Sequence, residues 1–122
     1  MRKIDEKFIN LANKIAMRGE FRTRHGCVIT RGKDVIATGF NRDIGIDHVL
    51  SHYGVFYSIH AELDAIRKLP YEFEESCTLY SVRHNWNMAK PCAKCLRVIN
   101  KTGIIRRVVY SVKPGIIEEM FV

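Results

Sequence analysis

Residues 58–66 read SIHAELDAI and place His60 and Glu62 two positions apart at the start of a predicted helix. Apolar residues recur in it at helical spacing, and Pro70 predicts that the helix ends shortly afterwards. The β-rich run CTLYSV follows, so the stretch predicts a helix that leads into a strand. A helix between strands is the unit from which α/β sheets are built, and the rest of the chain extends this pattern.

Apolar residues at helical spacing over residues 4–15 predict the first helix. The runs GCVIT and DVIATGF, separated by RGK, predict a β-hairpin with Gly32 in its turn. CAKCLRVINKTG predicts another helix, IIRRVVYSV a strong strand, and Pro114 with Gly115 the start of a short terminal helix. We therefore expect a three-layer α/β/α fold. Its mixed sheet has about four to five strands, with an antiparallel hairpin first, later strands parallel, and helices on both faces.

The composition predicts one domain over residues 1–122. Hydrophobic residues make up 47% of the chain and charged residues 27%, as in ordinary globular proteins. No stretch approaches the roughly 20 apolar residues of a membrane span, and the first residues do not resemble a signal peptide. We therefore expect a cytoplasmic protein with no membrane partner, whose four cysteines are metal ligands or buried thiols.

The chain carries 20 Lys and Arg against 13 Asp and Glu, a net charge of +7. An excess of this size favours partners that carry phosphate, either free nucleotides or nucleic acid. The basic residues are spread along the chain, so a solvated basic surface explains them equally well.

His60, Cys92 and Cys95 offer one imidazole and two thiolates, a ligand set that zinc prefers. Three protein ligands leave the fourth tetrahedral position open, as in catalytic zinc sites. Cys92 is predicted to begin a helix, where unpaired backbone N–H groups favour a thiolate. Cys27 and Cys77 lie in predicted strands and are interpreted as small buried residues.

His60-Ala61-Glu62 and, about 30 residues later, Pro91-Cys92-Ala93-Lys94-Cys95 match the zinc-deaminase signature H-x-E with P-C-x-x-C. From about Cys27 to Tyr110 the chain resembles the cytidine and deoxycytidylate deaminase superfamily. The resemblance implies one catalytic zinc ion on His60, Cys92 and Cys95. It also implies that the water of this ion is activated for attack on the carbon that bears an exocyclic amine, with Glu62 shuttling the protons.

The same resemblance implies substrate contacts from four further residues. Asn41 ends ATGFN, which is similar to a segment whose asparagine contacts the sugar, and Ala61 offers its backbone N–H to the base. Pro91 belongs to the motif, and Tyr110 ends the last strong strand where the family often has a base-stacking aromatic residue. The family commonly has serine or glutamate before the proline of this motif, whereas this chain has Lys90 before Pro91. Lys90 brings a positive charge to the rim of the expected active site.

Other residues near these motifs keep two interpretations. Trp86 and His84 either stack on a base or, for Trp86, cover the core. The long loop of residues 41–58 is expected to border a site. Within it, His48 and His52 are candidates for the second, structural zinc of some relatives, although no cysteine lies close by in the sequence. His25 receives no role.

We therefore predict a hydrolytic zinc-dependent deaminase of a cytosine nucleotide, which converts a dCMP-like substrate to dUMP and ammonia. One alternative is deamination of a base within nucleic acid, either adenosine in transfer RNA or cytosine in a single strand. A second alternative is a non-catalytic, zinc-stabilised module that binds nucleotides. The Glu62→Gln variant separates the classes, because only an enzyme loses turnover. A homo-oligomer is also expected.

Overall fold

The computed structural model describes residues 2–19, 24–43, 58–70 and 72–122. Within these ranges three α-helices are present, and they are listed here in chain order: α1 (Lys3–Ala16), α2 (Ala61–Arg67) and α3 (Ala93–Thr102). The strands of the same ranges follow, again in chain order: β1 (His25–Arg31), β2 (Asp34–Phe40), β3 (Arg42–Asp43), β4 (Ser58–Ile59), β5 (Cys77–Arg83), β6 (Ile105–Lys113) and β7 (Ile116–Phe121).

Five of these strands form one mixed sheet in the order β2-β1-β5-β6-β7. β5 and β6 are parallel, and α3 connects them; the other neighbours in the sheet are antiparallel. A parallel pair requires such a crossover, because a short turn can only reverse the chain. The predicted hairpin is confirmed, with Gly32 in its turn at a φ of 56°. The predicted mixed sheet of the α/β fold is confirmed as well.

The helices lie on both faces of the sheet, as predicted. α1 packs on one face, where its apolar side contacts the buried residues Val28, Tyr80, Val82 and Val109. α2 and α3 pack on the other face, over Cys27, Leu79 and Val108. Because side chains alternate along a strand, consecutive residues of the central strands point alternately into the apolar core on one face of the sheet and into the core on the other. Cys27 and Cys77 are buried thiols, which confirms their predicted place in the core.

Two glycines let the helices approach the sheet closely. A Cβ atom on Gly26 would lie 2.1 Å from the carbonyl oxygen of Ala12 in α1. A Cβ atom on Gly39 would lie 2.4 Å from the backbone nitrogen of Ala65 in α2. Real Cβ atoms do not approach backbone atoms this closely, so both positions require glycine. Gly39 thus sets how near α2 lies to the sheet.

The predicted terminal helix is wrong, because residues 116–121 form strand β7. Pro114 and Gly115 make a two-residue turn, and the φ of 80° at Gly115 is the positive value that a type II turn needs at that position. The chain therefore reverses and pairs with β6 in antiparallel register. Without β7, the N–H and C=O groups along that edge of β6 would be unpaired.

The long loop predicted over residues 41–58 begins and ends with the short antiparallel pair of β3 and β4. The prediction that this loop borders a site, and the candidate ligands His48 and His52 for a second zinc, lie outside the described residues.

Candidate metal centre and active site

The two halves of the sequence motif lie at the first residues of two helices. His60 is the N-cap of α2 and Cys92 is the N-cap of α3, both with extended backbone. The carbonyl oxygen of each cap accepts the first helical hydrogen bond, from Asp64 at 2.9 Å and Leu96 at 2.8 Å. Cys95 is the third residue of α3, so it lies on the same side of that helix as Cys92.

The potential ligand atoms of His60, Cys92 and Cys95 are close enough to share one ion. The Nδ1 atom of His60 lies 3.2 Å from Cys95 Sγ and 4.0 Å from Cys92 Sγ, and all three atoms lie within 4.8 Å of one another. At ordinary bond lengths the ligands of a tetrahedral zinc ion are about 3.6 Å apart. Among the described residues no fourth His, Cys, Asp or Glu belongs to this group. The three side chains therefore fit a zinc ion with one open position.

Glu62 lies beside this group, in the first turn of α2. Its side chain is only 2% exposed, and its Oε1 atom makes no hydrogen bond within the described part of the chain. The carboxylate is close enough to Cys95 to raise the pKa of that thiol. A buried carboxylate oxygen without a partner costs folding free energy, so this position favours a chemical role over a structural one.

Asn41 follows β2 and is hydrogen-bonded to His25, the first residue of β1. Its Oδ1 atom accepts a hydrogen bond of 2.8 Å from the N–H of His25, and its own N–H donates to the carbonyl of His25 at 3.1 Å. The preceding residue, Phe40, donates its N–H to the buried carboxylate of Asp64 in α2 at 3.2 Å. The end of β2 is thereby held next to the helix that carries His60 and Glu62.

The remaining predicted substrate contacts lie in different surroundings. Ala61 is buried directly after His60, and Pro91 is buried directly before Cys92, so each adjoins one of the candidate zinc ligands. Tyr110 is 6% exposed in the core beneath α2 and α3, and its hydroxyl donates to Glu118 at 3.3 Å. Trp86 packs against the apolar core between α1 and the sheet, on the face of the sheet opposite to α2 and α3. Its interpretation as a core residue therefore fits the structure.

A family model matches residues 2–112 of the chain, and its description is the zinc-binding region of cytidine and deoxycytidylate deaminases. The chain belongs to this family. It is accordingly a zinc-dependent hydrolytic deaminase that acts on C–N bonds, as its motif predicts. A search of curated protein sequences found no match.

Solved structures of other deaminases have the same fold. The apo dCMP deaminase of cyanophage S-TIM5 matches 94% of this chain and 88% of its own, with 20% identity and a TM-score of 0.69. Cytidine deaminase from Burkholderia pseudomallei matches 99% of this chain and 93% of its own, with 17% identity and a TM-score of 0.72. Cytidine deaminase from Mycobacterium leprae matches 93% of this chain and 91% of its own, with 15% identity and a TM-score of 0.64. At these identities the likeness is one of fold.

The two thiols of the deaminase differ in pKa. The backbone N–H of Cys95, followed by that of Lys94, lowers the pKa of Cys92, because both hydrogen bonds favour its thiolate. Burial raises the pKa of Cys95, and the carboxylate of Glu62 adds to this effect. A bound cation would oppose both effects, because it favours the thiolate form of Cys95.

His25 and Ser81 also lie at this site, although no sequence motif points to either residue. The Nδ1 atom of His25 lies 3.5 Å from Glu62 Oε1, and its Nε2 atom lies 2.5 Å from the Ser81 hydroxyl. Burial lowers the pKa of His25, while the Glu62 carboxylate acts to raise it. The alternation of His25 and Cys27 at the start of a strand places both on one face. That pattern is the signal that could have directed attention to His25.

None of the helices in the described ranges has the length and apolar character needed to cross a membrane.

Proposed function

We propose that this deaminase converts a dCMP-like cytosine nucleotide to the uracil nucleotide. Water adds its oxygen to C4 of the base, the bond between C4 and the amino nitrogen breaks, and ammonia leaves. The observation that carries the proposal is the approach of three zinc-type ligands to one another beside a buried glutamate whose Oε1 has no hydrogen-bond partner among the described residues. This arrangement supplies a metal position and a proton carrier at one place.

His60, Cys92 and Cys95 are the proposed zinc ligands. Zinc, when bound there, supplies a Lewis acid that lowers the pKa of water to about 7. Glu62 takes a proton from the attacking water and passes it to the ring nitrogen N3. It then passes the second proton of that water to the departing amine. One carboxylate can perform both transfers in turn, since it is a base before the first transfer and an acid after it.

Binding of the nucleotide is proposed for the residues around this centre. Asn41 faces the sugar, Ala61 offers its N–H to the base, and Pro91 and Tyr110 complete the pocket. Lys90 is exposed next to Pro91 and suits a substrate that carries phosphate. The net charge of +7 also favours an anionic nucleotide over an uncharged nucleoside. A dCMP deaminase with this fold, that of cyanophage S-TIM5, was crystallised with dCMP and dUMP.

A second candidate function is deamination of a base within nucleic acid. The net charge of +7 supports it, because positive charge attracts a phosphate backbone without regard to sequence. Adenosine in transfer RNA and cytosine in a single strand are the proposed substrates of this class.

We also propose that the chain is a single domain that assembles as a homo-oligomer. The edge strand β7 supports this assembly, because it exposes Ile116 and Phe121, the latter to 73%. Exposed apolar residues on an unpaired strand edge are commonly covered by another chain.

A substrate panel tests the proposed function. Ammonia release by the zinc-loaded protein is measured with dCMP, CMP, deoxycytidine, cytidine, single-stranded DNA and transfer RNA. The proposal expects the highest kcat/KM with a monophosphate, dCMP above all. Turnover confined to a polymer would overturn it in favour of the second candidate, and turnover confined to nucleosides would exclude the phosphate requirement.

A further inference from the structure

His25 contacts the proposed proton carrier although 37 positions separate the two residues. His25 is the first residue of β1 and Glu62 lies in α2, which packs over that strand's face. Their side chains are 8% and 2% exposed, and Nδ1 lies 3.5 Å from Oε1. This is the same Oε1 that makes no hydrogen bond to any of the described residues. The imidazole nitrogen is therefore well placed to hold that carboxylate oxygen.

The other ring nitrogen of His25 is held in place by β5. The Ser81 hydroxyl donates its only hydrogen to the carbonyl oxygen of Ala89 at 2.8 Å. It must therefore act as the acceptor toward His25, whose Nε2 lies 2.5 Å away. Nε2 thus carries a hydrogen, and this bond fixes the plane of the ring so that Nδ1 is directed at Glu62. The backbone of His25 is held as well, by its two hydrogen bonds to Asn41.

We propose that His25 is a positioning residue that fixes the carboxylate of Glu62 for proton transfer, with Ser81 fixing His25 in turn. The inference rests on the proposed role of Glu62. The contact is attractive when Nδ1 donates its hydrogen to Oε1, which leaves Glu62 ionised for the first proton transfer. With Oε1 held there, the second carboxylate oxygen is left for the proton transfer. Proton transfer depends on such placement to within a fraction of an ångström.

Cys27 offers a different interpretation, since His25, Cys27 and Glu62 form a second cluster of metal-type ligands. Cys27 Sγ lies 3.9 Å from Nε2, which Ser81 already occupies, whereas Glu62 faces Nδ1. One ion cannot bind through both nitrogens of one ring. These contacts lie at different ring nitrogens, so the geometry favours polar contacts of His25 over a second ion in this cluster.

Two amide substitutions separate the two contacts of His25. The amide nitrogen of asparagine falls close to the position of Nδ1, and that of glutamine close to Nε2. His25→Asn therefore keeps a donor toward Glu62, and His25→Gln keeps the contact with Ser81 alone. We expect kcat to fall about 10- to 100-fold in His25→Gln with KM unchanged, and to fall less in His25→Asn. A kcat for His25→Gln equal to or above that of His25→Asn overturns the proposal.

A double variant tells positioning from general damage to the fold. If His25 acts through Glu62, His25→Gln combined with Glu62→Gln is no slower than Glu62→Gln alone, because residues that act as a unit are not additive. A further fall in kcat in the double variant overturns the proposal. Activities are compared per folded molecule at equal zinc content.

Ser81→Ala tests the hydrogen bond between Ser81 and His25 without changing His25 itself. It removes the acceptor for Nε2, so the proposal expects a lower kcat with unchanged KM and zinc content. A wild-type kcat in Ser81→Ala would contradict the proposal. If instead the wild type turns over no substrate of the panel, or Glu62→Gln keeps full turnover, the proposed function itself fails, which is a different outcome from a failure of His25 alone.

Discussion

The Nδ1 atom of His60 lies 3.2 Å from the Sγ atom of Cys95, across the gap between the first turns of α2 and α3. Two polar atoms at this separation in a half-buried site are either hydrogen-bonded or ligands of a common ion. Cys92 lies within 4.8 Å of both. Three such atoms converging at the ends of two helices favour the ion, because zinc satisfies all three at once.

The first prediction concerns the metal content of two cysteine variants. Cys95→Ser is expected to lose most of the single zinc ion per chain and to unfold at a lower temperature, because zinc binding contributes to the free energy of folding. Cys77→Ser is the matched control, since Cys77 is equally a buried thiol but lies in β5 apart from the metal group. Elemental analysis of the purified proteins checks this. Full zinc in Cys95→Ser would contradict the ligand assignment.

The second prediction compares two glycines on opposite faces of the sheet. Gly39→Ala and Gly26→Ala each drive a Cβ into helix backbone and are expected to lower the free energy of unfolding by about 1–3 kcal/mol or more. Gly39→Ala displaces α2, which carries His60, whereas Gly26→Ala displaces α1 on the other face. Zinc per folded chain should therefore fall in Gly39→Ala alone. Equal zinc loss in the two variants would show that α2 is not positioned by this contact.

The third prediction concerns Asp5, whose buried carboxylate joins α1 to the sheet. Arg107 donates to both of its oxygens at 2.8 and 2.9 Å, and the Tyr80 hydroxyl donates at 2.7 Å. The Arg107 guanidinium, followed in effect by the Tyr80 hydroxyl, lowers the pKa of Asp5 from 3.8 to about 2, against the opposing effect of burial. The stabilisation that follows is complete above pH 3.8 and is lost as the pH falls toward 2.

Asp5→Asn should therefore lower the free energy of unfolding by about 2 kcal/mol at pH 7, and by roughly half as much at pH 3. Urea unfolding at the two pH values measures both numbers. Asp34→Asn serves as the control, because the ion pair of Asp34 with Arg31 is exposed and should contribute less than about 1 kcal/mol. An equal loss for Asp5→Asn at both pH values would contradict the assignment of the lowered pKa.

The local signals of the sequence predicted most of the fold. Helix α3 ends at Gly103, whose φ of 69° is the left-handed conformation that glycine favours at such ends. The prediction of a terminal helix is wrong, because the apolar residues Ile116, Ile117 and Met120 of this strand also fit a helical turn. What decides between the two is pairing with β6, a contact between strands that a local pattern does not contain.

The convergence of His60, Cys92 and Cys95 beside Glu62 is predictable, because their residue types and spacing form a motif. His25 and Ser81 are not predictable in this way, because their contact with each other and with Glu62 joins three elements distant in sequence. Only the register of β1 against β5 brings them together: Cys27 pairs with Ser81, and His25 lies on the same face two residues earlier. The roles of the zinc ligands and of Glu62 stay predictions, as do the substrate roles of Asn41, Ala61, Pro91 and Tyr110.

Glu62 is proposed to move protons at a zinc centre formed by His60, Cys92 and Cys95. Ammonia release from dCMP is therefore measured for the wild type and Glu62→Gln, with zinc content determined on the same samples. We expect Glu62→Gln to keep its zinc and its fold, while kcat falls by about 10²- to 10⁴-fold. Wild-type turnover in a zinc-loaded Glu62→Gln variant would contradict it.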